Sequence, residues 1–309
     1  MGRIWLLSLL AWAAPAQEPT PAATPRRSAS VEDQSRPTSS PLEAQVELHR
    51  RGFSCGSIDG VLGPQTTAAL KAFQRRAGLP ETGALDTETS DQLRLTAPAL
   101  TTHTISEEEL ATLAPVPVTW LEKSQRPALT YASALELVAE RYRASPRLVQ
   151  RLNPSVRWEA VSAGTVITVP AANRVTFDTN AAQVVIRLQA RTLEALDPAG
   201  VVVAQFPVSI ARKVEKRPSG ELRTTVVILD PNYTFDPELY PESAEGKQLG
   251  RKLVVPPGPN NPVGRAWIGL NLPGYGIHGT PDPEKVGRTE SHGCFRLANW
   301  DAVALVSLV

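Results

Sequence analysis

The sequence predicts a multidomain chain. A small α-helical bundle comes first, then a small α+β module, then a C-terminal, mostly antiparallel β domain of sandwich- or barrel-like form. Three observations predict this. Apolar residues at helical spacing, punctuated by glycine, fill residues 41–96. A helix-helix-strand run occupies 128–171. From residue 173 onward, short β-branched runs alternate with Gly, Pro, Asp and Asn rather than with helices, which argues against βα units. At 309 residues there is room for two or three cores. Lys+Arg is 32 and Asp+Glu is 31, a formal net charge of +1, so the composition carries no footprint for nucleic acid.

The first sixteen residues read as an export signal. Arg3 precedes an apolar run from Ile4 to Ala14, and Ala14-Pro15-Ala16 puts small residues at the positions a signal peptidase reads. A run of about eleven residues is too short for a bilayer, which needs about 20. No cysteine follows it closely, so the expectation is a cleaved signal, no membrane anchor, and a mature protein in the periplasm or cell envelope. Residues 17–40, rich in Pro, Thr, Ser and Ala, read as a flexible linker unable to bury a core.

In 41–96, Leu42, Val46 and Leu48 share one helical face that Gly52 ends. Gly56, Gly60 and Gly63-Pro64 mark a loop around Asp59. Ala68, Ala69, Leu70 and Phe73 predict a second helix closed by Gly78, and Asp86 opens a third that reaches Leu93. The stretch "IDGVLGPQTTAALKAFQRRAGLPETG" resembles the peptidoglycan-binding three-helix module of wall enzymes through its Ile-Asp-Gly, Gly-Pro, Phe-Gln and Thr-Gly elements. Cys55, in its loop, reads as a small half-buried residue.

Residues 97–127, with four prolines, read as an irregular linker. In 128–171, Leu135, Val138, Ala139 and Tyr142 line one helix, Ser145-Pro146 opens a second, and "GTVITVP" is a strand. This run resembles the second part of a LysM glycan-binding module, with "HTIS" near His103 as the opening strand across an insertion. In 173–309, "VTFDT", "QVVIRLQA", "GVVVAQFPVSI", "TTVVIL", "KLVVPPG" and "AWIGLNL" are the predicted strands. Asp230 to Lys252 read as a surface loop or a lid.

The chemistry concentrates in "GIHGTPDPEKVGRTESHGCFRL". It holds two of the four histidines and one of the two cysteines. Three readings fit these residue types. One is a cysteine nucleophile with a histidine base, since a thiol near pKa 8.5 needs a base or cation to ionise at neutral pH. A second is a zinc site of His278, His292 and Cys294, although no HExxH or paired CxxC accompanies it. The third is a buried core. A Cys55–Cys294 disulfide is a further option in an oxidising compartment.

"IHGT" followed by "SHGCFRL" and Asn299 resembles the signature of the L,D-transpeptidase (YkuD-like) catalytic family, a likeness covering roughly residues 174–309. The resemblance implies roles. Cys294 matches the nucleophile, and His278 its base, oriented by the backbone carbonyl of Gly279. His292 matches a supporting histidine. Gly293 and Cys294 amides would line the oxyanion hole, with Ser291 and Arg296 shaping the substrate site. It also implies peptidoglycan stem peptides and glycan strands as partners, a wall-anchored lipoprotein as one acceptor, no metal and no cofactor. The implied reaction releases D-Ala from a tetrapeptide stem and forms a 3–3 crosslink. Water as acceptor would make an L,D-carboxypeptidase, and inert catalytic residues would leave a wall-binding protein. Relatives commonly continue past "VALVSLV" through one more strand, so that strand is expected to be missing or supplied elsewhere.

Overall fold

The computed structural model describes residues 35–172, 175–240, 242–288 and 293–309. The proposed signal segment, most of the linker, and the candidate residues Ser291 and His292 lie outside the described residues.

The first module holds β1 (Arg36–Pro37), α1 (Pro41–Arg50), α2 (Pro64–Ala77), α3 (Thr87–Gln92) and β2 (Arg94–Leu95), with β1 and β2 antiparallel. Its helix ends follow from the sequence. The Ser40 hydroxyl accepts the Glu43 N–H, the Asp86 carboxylate accepts the Thr89 N–H, and Gly78 closes α2 in the left-handed region at φ 71°. The loop around Asp59 is fixed by Gln45. Its carbonyl oxygen accepts from the Asp59 and Gly60 amides, and its amide donates to Asp59, Val61 O and Thr66.

The middle module begins inside the predicted linker, which corrects that reading of 97–127. This segment carries β3 (Leu100–Thr104), α4 (Glu107–Ala111) and α5 (Trp120–Ser124), and the last two are one-turn helices, each closed by a capping box. Next come α6 (Ala134–Arg141), α7 (Pro146–Leu152) and β4 (Val166–Pro170). Strands β3 and β4 pair antiparallel in full register, His103 opposite Ile167, to give a β-α-α-β unit of β3, α6, α7 and β4 with α4 and α5 inserted after β3. The proline count marks this segment as irregular, with "HTIS" alone expected as a strand, because the partner of β3 lies more than sixty residues downstream.

The C-terminal domain contains β5 (Gln183–Arg187), β6 (Thr192–Leu196), β7 (Val202–Pro207), β8 (Thr224–Leu229), β9 (Tyr233–Phe235), α8 (Ala244–Leu249), β10 (Leu253–Val255), β11 (Ala266–Leu270), β12 (Gly276–His278), β13 (Phe295–Arg296) and α9 (Asn299–Val306). A β5-β6-β7 meander and a β13-β12-β11-β8 sheet enclose one core, with Leu193, Phe206, Ile268, Phe295 and Leu305 buried between them and α9. The predicted strand "VTFDT" is irregular, and Phe177 packs on this core instead. Strand β6 went unpredicted because "TLEAL" lacks a β-branched run. The sheets are antiparallel except for β12 and β13, which run parallel.

The three modules interlock through backbone hydrogen bonds. Ser54 N donates to Gln205 O at 2.8 Å, joining the first module to β7. Ile58 N donates to Arg143 O at 2.7 Å, joining it to the middle module. Leu129 N donates to Pro257 O at 2.9 Å, joining the middle module to the C-terminal domain. Asp230 to Lys252, read as a loop or lid, is largely ordered as the β9-β10 hairpin with α8. From the middle module, Trp120 stacks on Phe235 with centroids 4.4 Å apart, and Glu245 accepts the Trp120 and Leu121 N–H groups.

Candidate active site

Three strands position the site. β11 is flanked by β12, where Trp267 faces His278 and Gly269 faces Gly276. β13 lies on the far side of β12, with Ile277 beside Phe295 and His278 beside Arg296. In-register residues share a face, so His278 and Arg296 lie on the face opposite Ile277 and Phe295, which fill the core. Cys294 immediately precedes β13, beside the strand that carries His278. Strands lie about 4.8 Å apart, so the backbone leading out of Cys294 runs one strand spacing from the backbone that carries His278. Side chains of these lengths can meet across that gap. The sequence spacing of sixteen is therefore a loop that returns the chain to a parallel neighbour.

His278 is buried, and its Nδ1 lies 2.6 Å from Gly279 O. A carbonyl oxygen can only accept, so Nδ1 carries the proton and Nε2 keeps its lone pair. Burial lowers the imidazole from 6.5 to about 4, against the pull of the Gly279 carbonyl, so the ring is neutral at physiological pH. Trp267 lies against it, with centroids 5.6 Å apart at 24°. Gly276 makes this possible: a Cβ there would fall 2.6 Å from Trp267 Cζ2.

Cys294 is partly exposed and its thiol donates to Gly274 O at 3.4 Å. Burial raises its pKa, while the Gly276 amide and the Arg296 charge pull it back. The thiol therefore needs a base, and a neutral histidine stands one strand away. Gly293 precedes it beside the Tyr275 ring, which lies 3.7 Å from where a Cβ would be. Arg296 is tied by its backbone to Ser209, N to O at 3.0 Å and O to N at 2.9 Å, and so links β13 to the end of the meander. The hairpin lies over this neighbourhood: Cys294 is among the groups that raise the Tyr233 phenol, after burial and its hydrogen bond to Tyr240.

Asn299, noted in the sequence only as part of the signature, buttresses the site. Its Oδ1 accepts the Arg265 and Thr280 N–H groups, each at 3.0 Å, and its Nδ2 donates to both Glu140 oxygens and to Pro259 O at 3.1 Å. The carbonyl end is wedged between Gly264 and Gly279, where any Cβ would overlap it. Sequence reasoning missed Trp267 and Glu140. Trp267 was hidden in a strand. Glu140 had a local signal, a carboxylate one turn beyond Leu137 on the buried stripe of α6.

His278, Gly279, Gly293, Cys294 and Arg296 are thus brought to one strand pair. The zinc reading draws on His292, outside the described residues. Among the described residues no three His, Cys, Asp or Glu side chains gather as metal ligands. Cys55 and Cys294 are not joined in a disulfide, and Cys55 is buried in the first module.

Comparison with known proteins finds matches to two families. Residues 181–309 match the family described as "L,D-transpeptidase catalytic domain" (YkuD), and residues 39–93 match the "Putative peptidoglycan binding domain" family. The chain is 27% identical over 175 residues to "Putative L,D-transpeptidase YkuD" of Bacillus licheniformis, covering 57% of this chain and 87% of that protein. It is 26% identical over 186 residues to the protein of the same name in Bacillus subtilis, covering 59% and 93%. Among solved structures, "L,D-transpeptidase from Mycobacterium smegmatis" aligns at 20% identity and a TM-score of 0.31, over 47% of this chain and 62% of that one. Residues 181–309 thus belong to the L,D-transpeptidase catalytic-domain family, and residues 39–93 ahead of them to a peptidoglycan-binding-domain family.

Proposed function

We propose that this protein is a cell-wall L,D-transpeptidase in which Cys294 is the nucleophile and His278 its base. The observation that supports the reading best is the parallel β12-β13 pair, which sets the neutral imidazole of His278, its Nδ1 against Gly279 O, beside the strand that Cys294 precedes. The thiol proton passes to His278 Nε2 and the sulfur attacks the carbonyl of the diamino acid at stem position three. The Gly293 and Cys294 amides receive the oxyanion. The bond to D-Ala breaks, the imidazolium protonates the departing amine, and a thioester remains. An amine of a neighbouring stem then attacks the thioester, giving a 3–3 crosslink and the free thiol. Ser291, His292 and Arg296 take the supporting and substrate-contacting roles.

The peptidoglycan-binding domain supplies wall attachment, and the β-α-α-β module supplies glycan contact in the manner of a LysM unit. The apolar start supports export through a cleaved signal. Among the described residues no helix is long and apolar enough to cross a membrane.

Intact mass after incubation with a carbapenem tests the reading. One adduct is expected on the wild type, none on Cys294→Ala, and slowed formation on His278→Ala. No adduct on folded, reduced wild type overturns it in favour of a wall-binding protein. Product analysis with stem tetrapeptides identifies the acceptor as a stem amine, water or a lipoprotein lysine.

A further inference from the structure

The active-site histidine rests on a residue from another module. Glu140 is buried on α6 of the middle module, and both its oxygens accept from Asn299 Nδ2 at 3.1 Å. The other end of that amide accepts the Thr280 N–H at 3.0 Å, and Thr280 follows the Gly279 whose carbonyl holds His278 Nδ1 at 2.6 Å. The same oxygen accepts the Arg265 N–H at 3.0 Å, pinning the strand that carries Trp267. A primary amide can rotate about its own axis, and the carboxylate, which can only accept, forces Nδ2 toward α6 and Oδ1 toward Thr280. With Pro259 O as the other acceptor, Asn299 has all its hydrogen-bonding capacity filled and one orientation available.

We propose that Glu140 is a positioning residue for His278, acting through Asn299, so that the middle module forms part of the catalytic site as well as a wall-binding attachment. The proposal rests on the reading of His278 as the base of Cys294. The groups facing Glu140 are the Tyr131 hydroxyl, which donates at 3.2 Å, the Asn299 amide, the Arg265 guanidinium and the Glu136 carboxylate. Burial, as the largest effect, moves the Glu140 carboxyl from 4.5 to about 7, so its protonation state changes within the working range. Loss of its charge weakens a charge-assisted hydrogen bond to Asn299 and with it the hold on the Gly279–Thr280 backbone.

The test uses full-length protein and two readouts. The first is the carbapenem acylation rate of Cys294 from pH 5.5 to 8.5. The second is the His278 tautomer from ¹⁵N NMR of the imidazole. For Glu140→Ala, acylation is expected to slow by about 10- to 100-fold, the range a small misplacement of a catalytic group produces, with a mixed His278 tautomer. Glu140→Gln, which keeps an acceptor for Asn299 and cannot ionise, is expected to recover most of the rate and to lose an inflection near pH 7 that the wild type shows.

Wild-type rate, pH profile and tautomer in Glu140→Ala overturn the proposal. If that variant does not fold, persistence of the inflection in Glu140→Gln overturns it instead. A wild type that is not acylated refutes the nucleophile reading, and the His278 tautomer in the variants then decides the positioning role alone.

Discussion

Asp301→Asn should turn a flat pH–stability profile into a rising one. Four buried groups set the wild-type profile. Burial raises Asp301 from 3.8 to about 7 and Glu140 from 4.5 to about 7. Burial likewise lowers His278 from 6.5 to about 4 and His49 from 6.5 to about 3. A raised carboxyl contributes stability that is complete below its unfolded pKa and lost as pH rises through the folded value. A lowered imidazole contributes stability that is complete above its unfolded pKa and lost as pH falls through the folded value. Between pH 4.5 and 6.5 the folded chain therefore holds two carboxyl protons that the unfolded chain has released. The unfolded chain holds two imidazole protons that the folded chain refuses, and the slopes cancel.

The Asp301→Asn change removes one side of that balance. It preserves an acceptor for the Ser54 hydroxyl, which donates to Oδ2 at 2.9 Å across the interface between α9 and the first module. One uncompensated proton gives a slope of about 1.4 kcal/mol per pH unit, or about 3 kcal/mol across the window. Urea midpoints at pH 4.5, 5.5 and 6.5, followed by tryptophan fluorescence, measure it. A variant whose stability stays as flat as the wild type would refute the reasoning, as would a wild type that already climbs by the full slope.

Other consequences follow from single contacts. Gly264→Ala forces a Cβ into Asn299 Oδ1 at a φ of 63°, and should cost roughly 2–4 kcal/mol by urea unfolding, an overpacking cost plus backbone strain. Under native conditions one thiol, Cys294, should react with Ellman's reagent, and Cys55, 2% exposed, should follow only in denaturant. Trp120→Ala removes the stack on buried Phe235. It should raise hydrogen exchange across residues 233–255 with little change elsewhere, the hairpin losing about 1–3 kcal/mol of local stability. Uniform exchange in that variant would show that the middle module does not hold the hairpin.

Much of this protein is written in short-range patterns. Asp86 and Gly78 announce their helix ends because capping and left-handed closure involve neighbours within four residues. The His278 to Cys294 motif was legible because the candidate base, backbone carbonyl and nucleophile that the family resemblance implies lie on one continuous stretch. Sequence alone thus determined the module order, the helical bundle, the β character of the last domain and the candidate nucleophile and base.

Tertiary structure decided what depends on partners far along the chain. The extent of β3, marked in the sequence only by "HTIS", is set by pairing with β4, and β6 was hidden because burial between β5 and β7 outweighs a weak local preference. The Trp267 ring beside His278 required the register of β11 on β12. The Glu140–Asn299 contact spans 159 residues, and no periodicity within either helix encodes it. Local propensity acts through adjacent dihedrals and is legible in order. A buried carboxylate meets its partner only after the modules close on one another, and its energy depends on the water that closure removes.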